Sequence, residues 1–209
     1  ISGRGSNALA ILDAIERGIV PARARAVIAD RPAEGLGRAE ARGIDTARVP
    51  RAAFPDRAAF EQALGEILNG YAPDLIAMAG FMRVLSDGFV RNYAGRMVNI
   101  HPSLLPRHRG LNTHARALAE GDSIHGASVH WVTPELDAGP VIARAELTIQ
   151  PDDTAETLAG RVLPLEHRLY PAALALLLRD GVSFAHENTF DNPIPVLDRD
   201  LDDLGRLLR

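Results

Sequence analysis

The chain has 209 residues, 46% of them hydrophobic and 24% charged, ordinary values for one globular domain with enough length to bury a core. A formal charge of −4 offers no basic stripe for a nucleic-acid backbone and disfavours a tRNA or other nucleic-acid partner. Cysteine is absent, which removes disulfides, thiol nucleophiles and thiolate metal sites and fits a reducing cytoplasm; the apolar stretches break well short of the roughly 20 residues a membrane helix needs, and no signal-peptide pattern opens the chain.

In chain order, Ser2-Gly3-Arg4-Gly5-Ser6-Asn7 reads as a glycine-rich turn between a strand and a helix over 8–17, with Leu9, Leu12 and Ile15 on one side and Gly18 as its stop. A short buried strand over 26–29 and a short helix over 35–42 follow. A longer helix over 56–69 starts near Asp56 and turns Phe60, Leu64, Ile67 and Leu68 inward. The next strand spans 75–79, Ser86 opens a helix to about Tyr93, 97–100 is a strand and 113–120 a helix. This alternation implies parallel βαβ units.

Beyond Gly126 the pattern changes to two longer strands, 128–133 and 141–149, joined by the loop that carries Asp137 and expected to pair as an antiparallel extension. The spacing of Leu158, Val162, Leu165, Leu169 and Leu176 predicts a helix over 153–179, which Pro164 and Pro171 should bend or interrupt. The tail from 191, with Pro193 and Pro195, reads as a peripheral strand or arm.

The segment Asn99-Ile100-His101-Pro102-Ser103-Leu104-Leu105-Pro106 ends the strand that starts at Met97. Alternation sends the Asn99 and His101 side chains from the same face, and Pro102 stops the pairing and keeps His101 extended. Strand ends are where open α/β sheets bind ligands. An isolated string of this kind usually does no more than end a strand, and Asp137 in Leu-Asp-Ala-Gly-Pro would by itself be a turn residue. Together they supply an amide, an imidazole and a carboxylate for one site.

The glycine-rich turn converges backbone N–H groups, a helix dipole and two short polar side chains on one point, for which phosphate is the natural occupant. It is not the dinucleotide fingerprint, and Gly-Ser-Asn alone is an ordinary N-cap. By themselves, Phe81 to Leu85 read as core plus a surface arginine, Arg57 as a solvated charge in a first turn, and Glu166 as a mid-helix ion-pair member. None of the seven histidines forms H-x-H or H-E-x-x-H. His101, His108 and His114 share a loop region without clustered acids, which counts against a metal site. His108, His125, His167 and His186 read as structural or exposed, and no role for His114 or His130 follows from the residues.

These blocks in this order, with Gly110-Leu111-Asn112-Thr113-His114, His125-Gly126-Ala127-Ser128-Val129-His130 and Glu166-His167-Arg168-Leu169-Tyr170-Pro171, resemble the folate-dependent formyltransferases, and among them those that formylate glycinamide ribonucleotide. The resemblance covers nearly the whole chain. It implies an α/β, Rossmann-like formyltransferase fold with a mostly parallel central sheet flanked by helices and an antiparallel extension in the C-terminal part. It also implies residues upstream of Ile1, because the family has a buried strand leading into the glycine-rich turn. The domain expected is single, 1–209, with a phosphate-binding half to about residue 100, a catalytic and folate half over about 101–190, and the tail over 191–209.

The activity implied is transfer of the formyl group of 10-formyltetrahydrofolate to the glycinamide amine, a step of purine synthesis. That reaction needs a polarised formyl oxygen, a stabilised oxyanion and a proton moved from attacking to leaving nitrogen. Asn99 would donate to the oxyanion, and His101 would donate a second hydrogen bond and act as general acid. Asp137, on reaching His101, would favour its imidazolium form. The resemblance assigns Gly5, Ser6 and Asn7 to the ribonucleotide phosphate and Glu166 to the ribose hydroxyls or glycinamide. It assigns Met82, Arg83, Val84 and Leu85, with Asn99, to the folate, and Arg57 to its glutamate tail, and it places His114 and His130 near the acceptor site without giving them a role.

Folate enters as a cosubstrate, with no tightly bound cofactor and no metal. The expected protein is a cytoplasmic monomer or homodimer with small-molecule substrates. Arg109 and Asn112 stand where related sequences often carry proline and histidine, and Pro164 is a further departure beside Glu166. Methionyl-tRNA formylation would bring an additional C-terminal domain, and the formyltetrahydrofolate hydrolase a regulatory N-terminal one. A sugar-nucleotide formyltransferase shares the Asn, His and Asp arrangement. A folate- or nucleotide-binding protein without catalysis would be marked by loss of one of those three, and all three are present.

Overall fold

A computed structural model describes residues 1–179; the tail over 191–209 and His186 lie outside the described residues. The elements are α1 (Ser6–Glu16), β1 (Ala26–Ala29), α2 (Glu34–Glu40), β2 (Asp45–Arg48), α3 (Arg57–Tyr71), β3 (Ile76–Met78), α4 (Asp87–Asn92), β4 (Met97–His101), α5 (Thr113–Ala119), β5 (Ile124–Trp131), β6 (Val141–Thr148) and α6 (Ala155–Arg179), with a 3-10 turn at Arg51–Ala53. Strand β1 pairs in parallel with β2, and β3 in parallel with β4. Strands β5 and β6 then add antiparallel pairings in the order β3-β4-β5-β6. This is the α/β arrangement the alternation implies, with its antiparallel extension where the pattern changes.

Local chemistry sets the helix starts. The Asp56 side chain accepts from Ala59 N at 2.8 Å and caps α3, and Ser86 accepts from Phe89 N at 3.2 Å and caps α4. Phe60, Leu64 and Leu68 of α3 are buried as their spacing predicts, against Phe89, Val90, Tyr93 and Met97. The other core joins Leu9 and Leu12 of α1 to Val98, Val129, Ile142, Leu158, Val162 and Leu169, each such side chain contributing about 1.5–3 kcal/mol by leaving water. Between β1 and β3 runs an apolar cleft of about 660 Å³ lined by Ile11, Leu12, Val27, Leu68, Ile76 and Leu178. Ile1 N donates to Ile28 O of β1 at 2.8 Å, and Ser2 N to Gly80 O, two residues past β3, at 3.2 Å.

Three features differ from the pattern reading. Strand β2 is absent from it, because Asp45-Thr46-Ala47-Arg48 has no apolar alternation; it forms against the backbone edge offered by β1. Strand β5 begins at Ile124 rather than at 128, extended by its pairing with β6. Helix α6 runs through Pro164 and Pro171 without interruption. Pro164 and Gly160, whose carbonyl loses its helical donor, both lie on the exposed face where water can take over. On the opposite face Tyr170 is buried, its hydroxyl 3.1 Å from Met78 O and 3.0 Å from Val98 O, which ties the helix to β3 and β4.

Candidate active site

The antiparallel register of β4 and β5 places Asn99 opposite His130 and His101 opposite Ser128. Asn99 Nδ2 lies 3.3 Å from His130 Nε2, and His130 Nδ1 lies 2.9 Å from Trp131 O. A carbonyl can only accept, so Nδ1 carries the proton and Nε2 offers its lone pair to the Asn99 amide. Burial holds His130 below the ordinary imidazole range, against smaller upward effects of the Trp131 carbonyl and Asp137.

His101 is buried at the end of β4. Its Nε2 donates to His108 O at 2.9 Å, and its Nδ1 faces Asp137 Oδ2 at 3.4 Å. Both ring nitrogens thus face oxygen acceptors, an arrangement both satisfy as donors only in the imidazolium. Asp137 Oδ2 also accepts from Gly110 N at 2.9 Å, and Oδ1 lies 3.7 Å from His130 Nε2. The loop behind His101 is braced by Ser128, whose hydroxyl donates to Ser103 O at 2.7 Å and accepts from Leu105 N at 3.0 Å. The Asp137 turn is pressed onto β5 so closely that a Cβ on Gly139 would stand 1.8 Å from Trp131 O, so only glycine fits.

A second group forms at the start of α1. Gly5, in the left-handed region at φ 69°, is the N-cap, and no side chain caps the helix, which leaves the first-turn N–H groups of Ser6 and its neighbours directed out of the helix end. Asn7 Nδ2 donates to Glu166 Oε2 at 2.6 Å across α1 and α6. Burial pushes the Glu166 carboxyl above its ordinary range, and the Asn7 hydrogen bond pulls the other way. Among the described residues Asn7 Oδ1 is buried without a hydrogen-bond partner.

The strip after β3 is exposed from Met82 to Val84. Met82 and Val84 are 61% and 63% exposed, whereas Leu85 is buried. Met82 N donates to Ser2 Oγ at 2.9 Å, and Arg83 Nε to the buried Asp30 Oδ2 at 2.6 Å. Arg31 Nη2 also donates to Asp30, at 2.9 Å. Burial alone would raise the Asp30 pKa, but hydrogen bonds from Arg31, Ser2 and Arg83 bring it down to about 2. Arg57 is exposed, with Nε 3.8 Å from Glu61 Oε1. Glu61 in turn accepts from Ser86 N at 2.7 Å and from the Ser86 hydroxyl.

Met78 pairs with Asn99 in register, so the glycine-rich turn, the 82–85 strip and the Asn99–His101–Asp137 group all gather around the C-terminal ends of β3 and β4, the ligand-binding edge of such sheets. Residues 1–174 match the family model described as formyl transferase. The chain belongs to the formyl transferase family.

Among its relatives, the phosphoribosylglycinamide formyltransferase of Escherichia coli is 46% identical over 189 residues, covering 90% of this chain and 89% of that one. The bovine trifunctional purine biosynthetic protein adenosine-3 is 40% identical over 87% of this chain but only 18% of its own length. Among solved structures, the phosphoribosylglycinamide formyltransferase of Coxiella burnetii, in complex with CHES, is 53% identical with a TM-score of 0.79, over 84% of this chain and 82% of that one. Glycinamide ribonucleotide transformylase 1 of Symbiobacterium toebii is 43% identical with a TM-score of 0.82, over 85% and 84%.

Against this formyl transferase frame, sequence reasoning misses several groups. His130, for which sequence offers no role, touches both Asn99 and Asp137, partners that the β4–β5 register supplies. Asp30, just past β1, holds Arg83 from far away in the chain, and Glu61 stands one turn along α3 from Arg57. His114 Nδ1 lies 3.0 Å from His125 Nε2; burial first, then neighbouring histidines, lower the His125 pKa to about 4. The histidines of this region also have acids near them, contrary to the pattern reading, since His108, Glu120 and Asp122 bring donor atoms within 4.8 Å of one another. Among the described residues no helix is long and apolar enough to cross a membrane.

Proposed function

We propose that this protein transfers the formyl group of 10-formyltetrahydrofolate to the amine of glycinamide ribonucleotide, giving formylglycinamide ribonucleotide and tetrahydrofolate. The observation that carries the reading is the convergence of Asn99, His101 and Asp137, with His130 between Asn99 and Asp137. The relatives that bear the name of this reaction, over nearly the whole chain, add their support.

In this mechanism the glycinamide nitrogen attacks the formyl carbon and an oxyanion develops. One N–H of the Asn99 amide is taken by His130, and the other donates to the oxyanion. His101, as the general acid, donates the second hydrogen bond from Nδ1, the nitrogen that faces Asp137, while its Nε2–H stays on His108 O. The carbon–N10 bond then breaks, His101 supplies the proton that N10 needs, and the proton leaving the attacking nitrogen passes to the His101–Asp137 pair. Proton and formyl group balance with no metal and no tightly bound cofactor.

Gly5, Ser6 and Asn7 hold the ribonucleotide phosphate at the open end of α1, and Glu166 accepts from the sugar or glycinamide. Exposed Met82 and Val84 form the apolar folate wall, Arg83 and Leu85 fix its backbone, and Arg57 meets the glutamate tail. The partners are these two small molecules, with neither nucleic acid nor membrane, for a cytoplasmic monomer or homodimer. The test is tetrahydrofolate release, followed by absorbance with and without glycinamide ribonucleotide, with products weighed by mass spectrometry and His101→Ala as control. Acceptor-dependent release that fails in the variant is expected. Release without acceptor, yielding formate, would make it a hydrolase instead.

A further inference from the structure

His108 holds a left-handed backbone, φ 55°, that is uncommon for a side chain with a Cβ. Its imidazole is buried, with Nε2 2.7 Å from Asp122 Oδ2 and Nδ1 3.5 Å from Glu120 Oε1. Arg107 pairs with Asp122 and lies 3.9 Å from Glu120. The His125 ring meets the His108 ring edge-on at 6.1 Å. The backbone carbonyl of this clamped residue is the one that receives His101 Nε2.

We propose that His108 and Asp122 are positioning residues for His101. Asp122, in the turn after α5, grips the His108 imidazole and so holds the backbone in a conformation it would otherwise leave. The His108 carbonyl then fixes the ring of His101 by its Nε2–H, and Nδ1 is left facing Asp137 and the reacting atoms. Ring orientation and tautomer of a general acid are set in this way by the group on its far nitrogen. The same three donor atoms do not suit a cation: the two nitrogens of His108 face two different carboxylates, and the Arg107 guanidinium already sits on Asp122.

The inference rests on the role given to His101 above. Its test uses Asp122→Ala, Asp122→Glu, His108→Gly and the Asp122→Ala/His108→Gly double variant, with kcat, both KM values and the ¹⁵N-edited NMR signals of the histidine rings. Asp122→Ala is expected to lower kcat about tenfold to a hundredfold with both KM values within about twofold, and to move the His101 Nε2–H signal. Asp122→Glu should recover part of both. Glycine tolerates the left-handed backbone without the clamp, so His108→Gly should show an intermediate loss, and removing Asp122 in that background should cost nothing more.

Wild-type kcat and an unmoved His101 signal in Asp122→Ala would overturn the proposal, as would additive losses in the double variant. If Asp122→Ala does not fold, His108→Gly decides: an unchanged kcat and His101 signal there would overturn it. Loss of activity to a chelator, restored by a divalent metal, would assign the cluster to a cation and also overturn it. An active His101→Ala enzyme would instead remove the role of His101 itself, an outcome separate from any of these.

Discussion

Asn99 and His130 face each other across the β4–β5 ladder, the amide Nδ2 3.3 Å from the imidazole Nε2. With Nδ1 committed to the Trp131 carbonyl, the ring accepts at Nε2, and a flipped Asn99 would set its oxygen against that lone pair. His130 therefore fixes which end of the amide meets the oxyanion. His130→Ala is expected to lower kcat about tenfold to a hundredfold, less than the roughly 10²–10³ expected for Asn99→Ala, which removes the donor. Equal wild-type turnover in His130→Ala at saturating substrates would remove His130 from the mechanism. Because burial holds His130 below the ordinary imidazole range, the accepting neutral form persists below pH 6.5, and protonation at still lower pH would set an N–H against the amide.

Asp137 joins two histidines to the Gly110 backbone through one carboxylate. Asp137→Asn keeps an oxygen for Gly110 N but turns an N–H₂ toward an imidazole and removes the charge. The fold should survive, with thermal unfolding within a few degrees of wild type, while kcat falls by about 10²–10³. Calorimetry beside steady-state rates separates the two effects, and near wild-type activity would sink the assigned role.

What the sequence made legible was whatever chemistry lies along one segment. Asn99 and His101 leave one face of β4 by alternation, Asp56 and Ser86 cap the helices they precede, and the change after Gly126 marks the antiparallel extension. Groups that meet across the fold were not legible. His130 acquires its partner from strand register, Arg83 from Asp30 at the end of β1, and His101 from a carbonyl whose placement depends on Asp122. Strand β2 lacked a signal because its stability lies in backbone pairing, and α6 survived two prolines because one freed carbonyl faces solvent and the buried face holds the helix to the sheet.

Asp30 ties Arg83 of the folate wall and Ser2 of the glycine-rich turn to the end of β1. Asp30→Asn should raise the KM for the folate about threefold to tenfold, the loss of one charge-assisted hydrogen bond, with kcat little changed. Acid stability gives a second reading. A carboxyl lowered from 3.8 to about 2 adds stability that is fully present above its unfolded value and is lost as pH falls from about 4 towards 2. Urea titrations across that window should show a smaller pH-dependent loss in Asp30→Asn; an unchanged slope would mean that Asp30 does not carry it.

Gly139 lies against Trp131 O with no room for a Cβ, so Gly139→Ala must push the Asp137 turn off β5. A loss of about 1–3 kcal/mol in unfolding free energy is expected, together with a fall in kcat as Asp137 leaves His101. A variant that loses stability but keeps full kcat would show that the turn can retreat without moving the carboxylate.

Glu166 and Asn7 form a buried pair that joins α6 to α1 at 2.6 Å. Glu166→Gln keeps an acceptor for Asn7 but loses the charge, and should raise the KM for glycinamide ribonucleotide about tenfold while the KM for the folate stays within about twofold. Burial holds the wild-type carboxyl above its ordinary range, so it gains its proton at a higher pH than an exposed glutamate. The ribonucleotide KM should therefore climb as pH falls through that raised value, and stay flat in Glu166→Gln. Stability moves the other way: between the ordinary and the raised value the folded chain binds more protons than the unfolded one, so acidification strengthens this contribution to the fold. A KM that rises with acid while the unfolding temperature holds or rises would locate the effect in substrate binding; parallel loss of both would trace it to unfolding and remove Glu166 from the acceptor site.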